Sequence, residues 1–432
     1  MVTIKPFKPT FLNPELPQRE RLICPVYDTI DEAQYTRYGS KQNNVINITT
    51  CKTGVDSEEF IADAEKCLGR FFDEQILIER DEPALYIYGI RYTLPENILS
   101  QIPEINRRKV YFAFGLVGLV SVEELGRGSI VGHERIFEKH TIERYNLMKA
   151  CGMNFSPIVS EYNMPGHEIN NILEDYLGFK RPDLVIREEV LPLVDLELNG
   201  TRHLLWEIRE PEIIGKLQQL LKDEHILILD GHHRYNAANE LRIKDGVDYT
   251  MMMFMEGGDR ALLLLPWHRV VRHMDAGKLE LQIKRYFEII WEGELEAGFH
   301  NALQDTDGKY DVRIGLYDSK TCYVLKANKE DVKQLSRELG ENVGLDYIVL
   351  IKWIIGPCVD NGNTDDVVFV DSMDEAVNKV DIQGFDAAFL IKPLAIEDVE
   401  YKAHVEKKNF PQKSTLFLPK VAEGIIMRRF RE

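Results

Sequence analysis

The sequence predicts an α/β protein with mixed sheets, and three observations support this prediction. Apolar runs rich in β-branched and aromatic residues, such as ALYIYGIRYTL and YFAFGLVGLV, are typical of buried strands. Segments with apolar residues at helical spacing, such as SEEFIADAEKCLGRFF, alternate with these runs. The segment HILILDGHHRYNAANEL contains both patterns, because a short apolar run leads through a glycine turn into a helix.

The length of 432 residues predicts more than one domain, since single cores rarely keep growing at this size. We expect an N-terminal α/β region over 1–125 and a catalytic region over 126–273 with an insertion at 159–222. A C-terminal α/β region would cover 274–432. Within the insertion, the Asn199-Gly200 dipeptide between two apolar runs predicts a β-hairpin.

Composition and charge exclude several classes of partner. A net charge of −18 argues against nucleic acid, because binding to phosphate backbones needs clustered Lys and Arg. The six cysteines are scattered without a CxxC pair, which is typical of free thiols in a reducing cytoplasm and predicts no zinc site. The most apolar run, Tyr111 to Val120, is too short to cross a bilayer, and the N-terminus resembles no signal peptide. We therefore expect a cytoplasmic protein with no membrane partner, and the oligomeric state stays open.

The turn DGHHR is the first candidate site. Gly231 after a buried strand allows a sharp turn, and the N-terminus of the following helix attracts anions. His232, His233 and Arg234 lie where they could neutralise phosphate oxygens. Asp230 ends the strand, where it could hold a metal ion or orient a histidine. The alternative is that the histidines satisfy backbone groups and Arg234 forms a structural ion pair.

The dipeptide His133-Glu134 is the second candidate. A glutamate can serve as a general base when its surroundings raise its pKa towards neutrality. An ordinary surface glutamate near a helix start is the alternative. The two histidines of HERIFEKH are too far apart for a zinc-protease motif. The chain also lacks a Walker-type phosphate loop, the protein-kinase motifs and a GxSxG turn.

With these motifs and the C-terminal PQKSTLFLPKVAEG, the chain resembles the bacterial family known as domain of unknown function 1015. The matching motifs are PVYD, HE, DGHHRY, LP-x-HR and PQKST with PK and Gly after it. Their side chains would either line a substrate pocket or hold the two chain ends together. The residues concerned are Tyr27, Asp28, Lys413, Ser414 and Thr415. His268 and Arg269 belong to the same set, but for these two a structural role is favoured.

A more distant resemblance is to the archaeal free-serine kinases of the ParB and sulfiredoxin-like superfamily. It covers the HE pair, a helix containing Arg144, a PI strand and the strand ending in DGHHRY. Arg144 is a further candidate for the substrate pocket. The resemblance implies a ParB/sulfiredoxin-like core with additional N- and C-terminal α/β regions. It also implies that Glu134, beside His133, is the base towards a hydroxyl group. The DGHHR turn would hold the phosphates of ATP or ADP, with Mg²⁺ at Asp230.

The function predicted from both resemblances is nucleotide-dependent phosphoryl transfer to a small hydroxyl metabolite, with free L-serine the leading candidate. A module that binds or hydrolyses a nucleotide for regulation, without phosphorylating a metabolite, is the alternative. A scaffold with a vestigial site is a third interpretation. Sulfiredoxin chemistry is disfavoured because the turn contains no cysteine.

Overall fold

The computed structural model describes residues 1–51, 57–99, 101–102, 106–136, 138–178, 190–359, 366–411 and 413–430. The strands are β1 (Ile4–Lys5), β2 (Thr10–Leu12), β3 (Cys24–Pro25), β4 (Leu77–Glu79), β5 (Leu85–Tyr92), β6 (Tyr111–Ser121), β7 (Ile130–Gly132), β8 (Met153–Asn154), β9 (Ile158–Tyr162), β10 (Val194–Leu198), β11 (Thr201–Ile208), β12 (Ile226–Asp230), β13 (Tyr249–Glu256), β14 (Leu263–Leu265), β15 (His268–Val271), β16 (Phe287–Gly293), β17 (Arg313–Tyr317), β18 (Cys322–Ala327), β19 (Val367–Val370), β20 (Ala387–Leu390), β21 (Leu416–Leu418), β22 (Ala422–Glu423) and β23 (Arg428–Arg429).

Helices lie between these strands, and several begin at the residue types that favour helix starts. Ser57 accepts a hydrogen bond from the Phe60 amide, and Asn328 accepts from the amides of Glu330 and Asp331. The helices are α1 (Glu32–Gly39), α2 (Ile46–Thr49), α3 (Glu58–Asp73), α4 (Glu96–Leu99), α5 (Glu138–Cys151), α6 (Glu168–Leu177), α7 (Pro211–Leu221), α8 (His232–Asp245), α9 (Ala276–Tyr286), α10 (Ala297–Gln304), α11 (Lys329–Leu339), α12 (Leu345–Val349), α13 (Gly356–Cys358), α14 (Met373–Gln383) and α15 (Ile396–Glu400).

A nine-stranded mixed sheet forms the largest layer. Its order is β10-β11-β5-β6-β13-β9-β12-β7, with β1 also paired to β6. Strand β12 is parallel to β7 and β13 is parallel to β9, whereas the other pairs in this sheet are antiparallel. The predicted α/β class with mixed sheets is therefore confirmed. Strands on both sides of residue 125 share this sheet, so the sheet itself is not divided there, and the domain boundaries stay a prediction.

A second, six-stranded sheet has the order β16-β18-β17-β20-β15-β19. The C-terminal strands do not join it. Instead β21 pairs with β14, β22 with β3 and β23 with β8. The last part of the chain therefore lies against elements from the first 265 residues, and the pairing of β22 with β3 brings the segment around Lys420 next to Tyr27 and Asp28.

Two local predictions are confirmed. Asn199 and Gly200 connect β10 to β11 with φ angles of 51° and 79°, the left-handed conformations that a tight hairpin turn requires. The apolar run from Tyr111 to Val120 lies in β6, and its side chains are buried inside the protein. Within the residues that the structure describes, no helix is long and apolar enough to cross a membrane.

The strand directions define two opposite edges of the large sheet. Strand β12 runs antiparallel to β9, and β9 runs parallel to β13. The edge where β12 ends at Asp230 is therefore the edge where β9 begins, and we call it the Asp230 edge. At the other edge β9 and β13 end with Tyr162 and Glu256, which are paired in register. Because Glu161 lies there, we call it the Glu161 edge.

Candidate functional site

The predicted strand-turn-helix is present at the Asp230 edge. All five residues of β12 are buried, and α8 begins directly after Gly231. Gly231 has a φ of 93°, a conformation that side chains rarely adopt. A Cβ atom there would also lie 2.9 Å from the Nε atom of Arg234. Both the backbone angle and the packing therefore require glycine at this position.

The first turn of α8 has no side-chain cap, because its N-cap residue is Gly231. The first amide groups of a helix have no acceptor within the helix, and their dipoles favour a negative charge. The Gly231 carbonyl accepts a hydrogen bond from the Tyr235 amide, which continues the helix. The amides of His232 and His233 are thus the part of this turn that could bind an anion.

Arg234 is occupied by protein partners. Its guanidinium donates to Asp230 Oδ2 at 2.5 Å, to Ser156 Oγ at 2.6 Å and to the Pro157 carbonyl at 2.8 Å. The side chain is buried. The expectation that Arg234 directly grips phosphate oxygens therefore needs correction. Its hydrogen bonds are those of the structural ion pair, and they hold the end of β12 to the start of β9.

Asp230 is the partner of two cations. One carboxylate oxygen accepts from Arg234 and the other pairs with the Lys420 ammonium group. Burial alone would raise the pKa of Asp230, but Lys420 and Arg234 hold it well below its usual range. A Mg²⁺ ion would have to displace one of these cations, so a metal-binding role for Asp230 does not fit. Among the described residues, no group of three His, Cys, Asp or Glu side chains is arranged to hold a metal ion.

His133 lies beside the turn but is completely buried. Its Nδ1 atom is 2.8 Å from the Ile228 carbonyl oxygen, and its Nε2 atom is 2.7 Å from Thr415 Oγ. Its ring meets the His232 ring edge-on at 4.7 Å. Burial lowers the pKa of His133. Both ring nitrogens of His133 contact protein atoms, and its predicted catalytic role stays a prediction.

Glu134 is the accessible member of the pair. Its Oε1 atom accepts from the Thr415 hydroxyl at 2.8 Å and from the Thr415 amide at 3.3 Å. The side chain is 18 % exposed. In the described part of the chain, Oε2 makes no hydrogen bond, so one carboxylate oxygen is held in place while the other is available to a ligand.

A continuous chain of contacts links Ile228, His133, Thr415 and Glu134. The Ile228 carbonyl can only accept, so the His133 Nδ1–H donates to it and Nε2 faces the Thr415 hydroxyl. The Thr415 hydroxyl and amide in turn hold Glu134 Oε1. The contacts therefore fix the position of this carboxylate relative to the buried His133 ring.

His233 lies at the start of α8, close to several groups that can carry positive charge. It is half-buried, its Nδ1 atom has no hydrogen-bond partner in the described structure, and its ring lies 5.4 Å from the His140 ring. Burial lowers the pKa of His233, and together with the nearby His140, Lys413 and Arg144 it brings the pKa to about 4. The His233 ring is thus neutral at pH 7, while the groups around it supply positive charge.

The N-terminal motif also reaches the Asp230 edge. The Arg144 guanidinium lies 4.1 Å from the centre of the Tyr27 ring and donates to the Thr49 carbonyl. Asp28 is exposed and lies close enough to Asp230 and Lys420 to interact electrostatically with both. Tyr27, Asp28 and Arg144 therefore lie close to Asp230, and their part in a substrate pocket stays a prediction.

Three residues that were candidates for the substrate pocket bond to other parts of the protein. His268 is buried, with Nε2 2.8 Å from Gln101 Oε1 and Nδ1 accepting from the Ile391 amide. Arg269 donates to the carbonyls of Trp267 and Lys413. The Ser414 hydroxyl donates to the Pro411 carbonyl. Each of the three side chains thus contacts protein groups, and their roles stay predictions.

A small cavity lies close to the site at the Asp230 edge. A cavity of about 20 Å³ lies behind Arg234, lined by Tyr27, Arg144 and Glu423 among others, and holds a water molecule at most. A cavity of about 500 Å³ lies at the Glu161 edge, between Tyr111, Phe112 and Glu256. No sequence motif indicated that cavity.

Lys420 was also missed as a site residue, because its partner Asp230 is 190 positions away.

The comparison with protein families confirms the first resemblance. The profile of the family described as protein of unknown function (DUF1015) matches residues 4–347, most of the chain, so the chain belongs to this family. A search of curated proteins found no match.

The similar solved structures include a free serine kinase variant in complex with ADP, at 13 % identity and a TM-score of 0.35, covering 67 % of this chain and 84 % of that one. A conserved hypothetical protein from Pyrococcus furiosus has 15 % identity and a TM-score of 0.34, covering 69 % of this chain and 91 % of its own. Truncated SbnI from Staphylococcus aureus has 13 % identity and a TM-score of 0.34, covering 70 % and 82 %. Similarity at this level carries no argument about activity.

Proposed function

We propose that this DUF1015 protein transfers a phosphoryl group from a nucleotide, ATP or ADP, to a small hydroxyl compound. Free L-serine is the leading candidate for the acceptor. The observation that carries the proposal is the uncapped start of α8 beside the Glu134 carboxylate. The two are joined by the contact of the His133 backbone amide with His232 Nε2 at 3.3 Å. Phosphoryl transfer depends mainly on positioning and charge stabilisation, which such an arrangement can supply.

The phosphates would lie at the first turn of α8. There the amides of His232 and His233 point to the ligand, and Lys413 and Arg144 supply positive charge. Arg234 would act indirectly, by holding the Asp230 end of β12 and thereby the Gly231 bend. Binding of an anion beside His233 should raise the pKa of this histidine from about 4.

Glu134 would serve as the base. The substrate hydroxyl gives its proton to Oε2, its oxygen forms the new bond to the terminal phosphorus, and the bond from that phosphorus to the nucleotide breaks. The nucleotide leaves with one phosphate fewer. Thr415 would hold the other carboxylate oxygen, and His133 would hold the Thr415 hydroxyl in place. No step is assigned to a metal ion, because Asp230 is already paired with two cations.

The proposal is tested with purified protein, ATP or ADP, a magnesium salt and L-serine, followed by mass spectrometry for phosphoserine. General base catalysis contributes roughly 10²–10⁴ to the rate. Glu134→Gln should therefore lower turnover by about this factor, while nucleotide affinity measured by calorimetry stays nearly unchanged. Glu138→Gln, an exposed glutamate at the start of α5, is the matched control and should keep full activity.

Three outcomes would contradict parts of the proposal. Full activity of the Glu134→Gln variant would remove Glu134 as the base. No nucleotide binding by the unaltered protein would remove the phosphate site. Binding or hydrolysis of the nucleotide without phosphoserine, across a panel of small hydroxyl compounds, would favour the regulatory module instead.

A further inference from the structure

A cavity of about 350 Å³ lies at the Glu161 edge of the large sheet. Its wall contains three carboxylates and two imidazoles, from Glu161, Glu224, Glu400, His225 and His404. No lysine or arginine is among its described lining residues. Strands β9 and β12, the segment before β12, α15 and the π-helical turn Tyr401–Glu406 supply this wall. The cavity is therefore acidic and separate from the site around Gly231.

Glu161 is the unusual group in this wall. Its side chain is only 1 % exposed, and neither carboxylate oxygen has a hydrogen-bond partner among the described residues. It lies in β9 between Leu227 of β12 and Met255 of β13, its partners in register. Burying an unpaired carboxyl group costs several kcal/mol, and folded proteins contain few such groups. Burial, Glu400 and Glu397 together raise the pKa of Glu161 well above its usual range.

Gly257 keeps two carboxylates open to the same space. A Cβ atom at this position would lie 3.4 Å from Glu161 Oε2 and 3.4 Å from Glu400 Oε1. Glu400 Oε1 also accepts a long hydrogen bond from Asn163 at 3.5 Å. The two oxygens thus lie on either side of one point next to Gly257, where a single donor group could reach both.

We infer that this cavity binds a small organic cation with N–H donors, a primary amine or a guanidine, whose charged end hydrogen-bonds to Glu161 and Glu400. An ionised carboxylate can accept hydrogen bonds but cannot donate them, so the ligand must supply the donor N–H groups. The volume lies within the range of small-molecule pockets, about 300–1,000 Å³. His225 and His404 would contact the rest of the ligand, at the mouth where His225 is exposed.

A divalent metal ion fits these residues less well. Metal ions need several ligand atoms converging at about 2.0–2.6 Å. In the described ranges, no three His, Cys, Asp or Glu side chains converge in this way. An organic cation needs only hydrogen-bond distances and occupies a larger volume, which suits a cavity of about 350 Å³.

Calorimetric titration of the full chain tests the inference, with putrescine and agmatine as probes and 1,4-butanediol as the uncharged control. The two amines should bind and butanediol should not. Glu161→Gln should weaken amine binding at least about tenfold, the effect of one lost charge-assisted hydrogen bond. Glu400→Gln, at a more exposed position, should weaken binding in the same direction. Glu59→Gln, an exposed glutamate in α3, is the matched control and should change nothing.

A proton readout separates ligand binding from general charge attraction. An amine that pairs with Glu161 displaces the proton that this buried group retains, so binding should release protons and tighten as the pH rises. Titrations in two buffers of different ionisation enthalpy measure this release. The inference is overturned if neither amine binds at millimolar concentration. Equal binding by the folded Glu161→Gln variant, or equal binding of butanediol, would overturn it as well. None of these outcomes bears on phosphoryl transfer at the opposite edge.

Discussion

Asp230 and Glu161 are both buried carboxylates in neighbouring strands of one sheet, yet their surroundings differ completely. Asp230, in β12, meets Arg234 through one oxygen and Lys420 through the other. Glu161, in β9, has no hydrogen-bond partner for either oxygen among the described residues. Burial acts on both groups in the same direction, since it penalises the charged form. The partners decide the outcome, so the pKa of Asp230 is lowered and that of Glu161 is raised.

This difference distinguishes charged groups that pair within the protein from a group that a ligand could pair with. At the Asp230 edge, the conspicuous residues of the DGHHR turn largely satisfy one another, and a ligand finds mainly backbone amides, Lys413 and Glu134. At the Glu161 edge, neither oxygen of Glu161 has a hydrogen-bond partner among the described residues, and a ligand would supply the missing hydrogen bonds. A buried polar group without a partner is therefore the stronger indication of a binding function than a charged residue in a motif.

The largest expected effect is the loss of a paired charge at the Asp230 edge. Arg234→Leu removes three hydrogen bonds and leaves Asp230 with Lys420 alone. Breaking a buried ion pair in this way costs about 3–5 kcal/mol. Urea unfolding followed by circular dichroism should show a loss of this size in the free energy of unfolding.

Arg242→Leu is the matched control, because Arg242 lies in the same helix and contacts only the Asn239 side chain through its described hydrogen bonds. Its change should stay within about 0.5 kcal/mol. Similar losses in both variants would show that Arg234 contributes no special structural pairing.

Thr415→Val should have the next largest effect. The valine keeps the volume but removes the hydroxyl that joins His133 to Glu134, leaving the buried His133 Nε2 without a partner. We expect a loss of about 1–3 kcal/mol in the free energy of unfolding. Thr415→Ser retains the hydroxyl and should restore most of it. If serine and valine destabilise the protein equally, the chain of contacts has no energetic role.

The local part of the Asp230 edge was predictable from the sequence. An apolar run, a glycine and a helical pattern are all contained in Ile226 to Asp245, and the structure has β12, the bend and α8 in this order. The hairpin at Asn199 and Gly200 follows from the same kind of local rule. The contact of His133-Glu134 with this turn was expected only from the resemblance to the kinases. No spacing rule links the two segments.

The pairing within the site could not be predicted in this way. Arg234 was expected to face phosphate, but whether a buried arginine binds protein or ligand depends on Ser156 and Pro157, which are close only in the fold. The Glu161 environment was equally hidden. A strand such as PIVSEY predicts burial on one face, but the acidic neighbours Glu397 and Glu400 come from a helix more than 230 positions later, as the contact of Asn163 with Glu400 shows.

Glu161→Gln should act in the opposite direction to Arg234→Leu, with an effect that depends on pH. The amide removes an ionisable group whose proton must be retained on folding, so the variant should be more stable than the unaltered protein at pH 7.5. Because the folded-state pKa of Glu161 is raised, its contribution is fully present below the ordinary glutamate value of 4.5 and is lost as the pH rises. The difference between variant and unaltered protein should therefore vanish at pH 4 and grow towards pH 8, as measured by urea unfolding at each pH. Glu59→Gln should show no such dependence, because Glu59 is exposed. A constant difference at all pH values would mean that Glu161 is not a proton-retaining group, and the contrast between the two edges would then rest on packing alone.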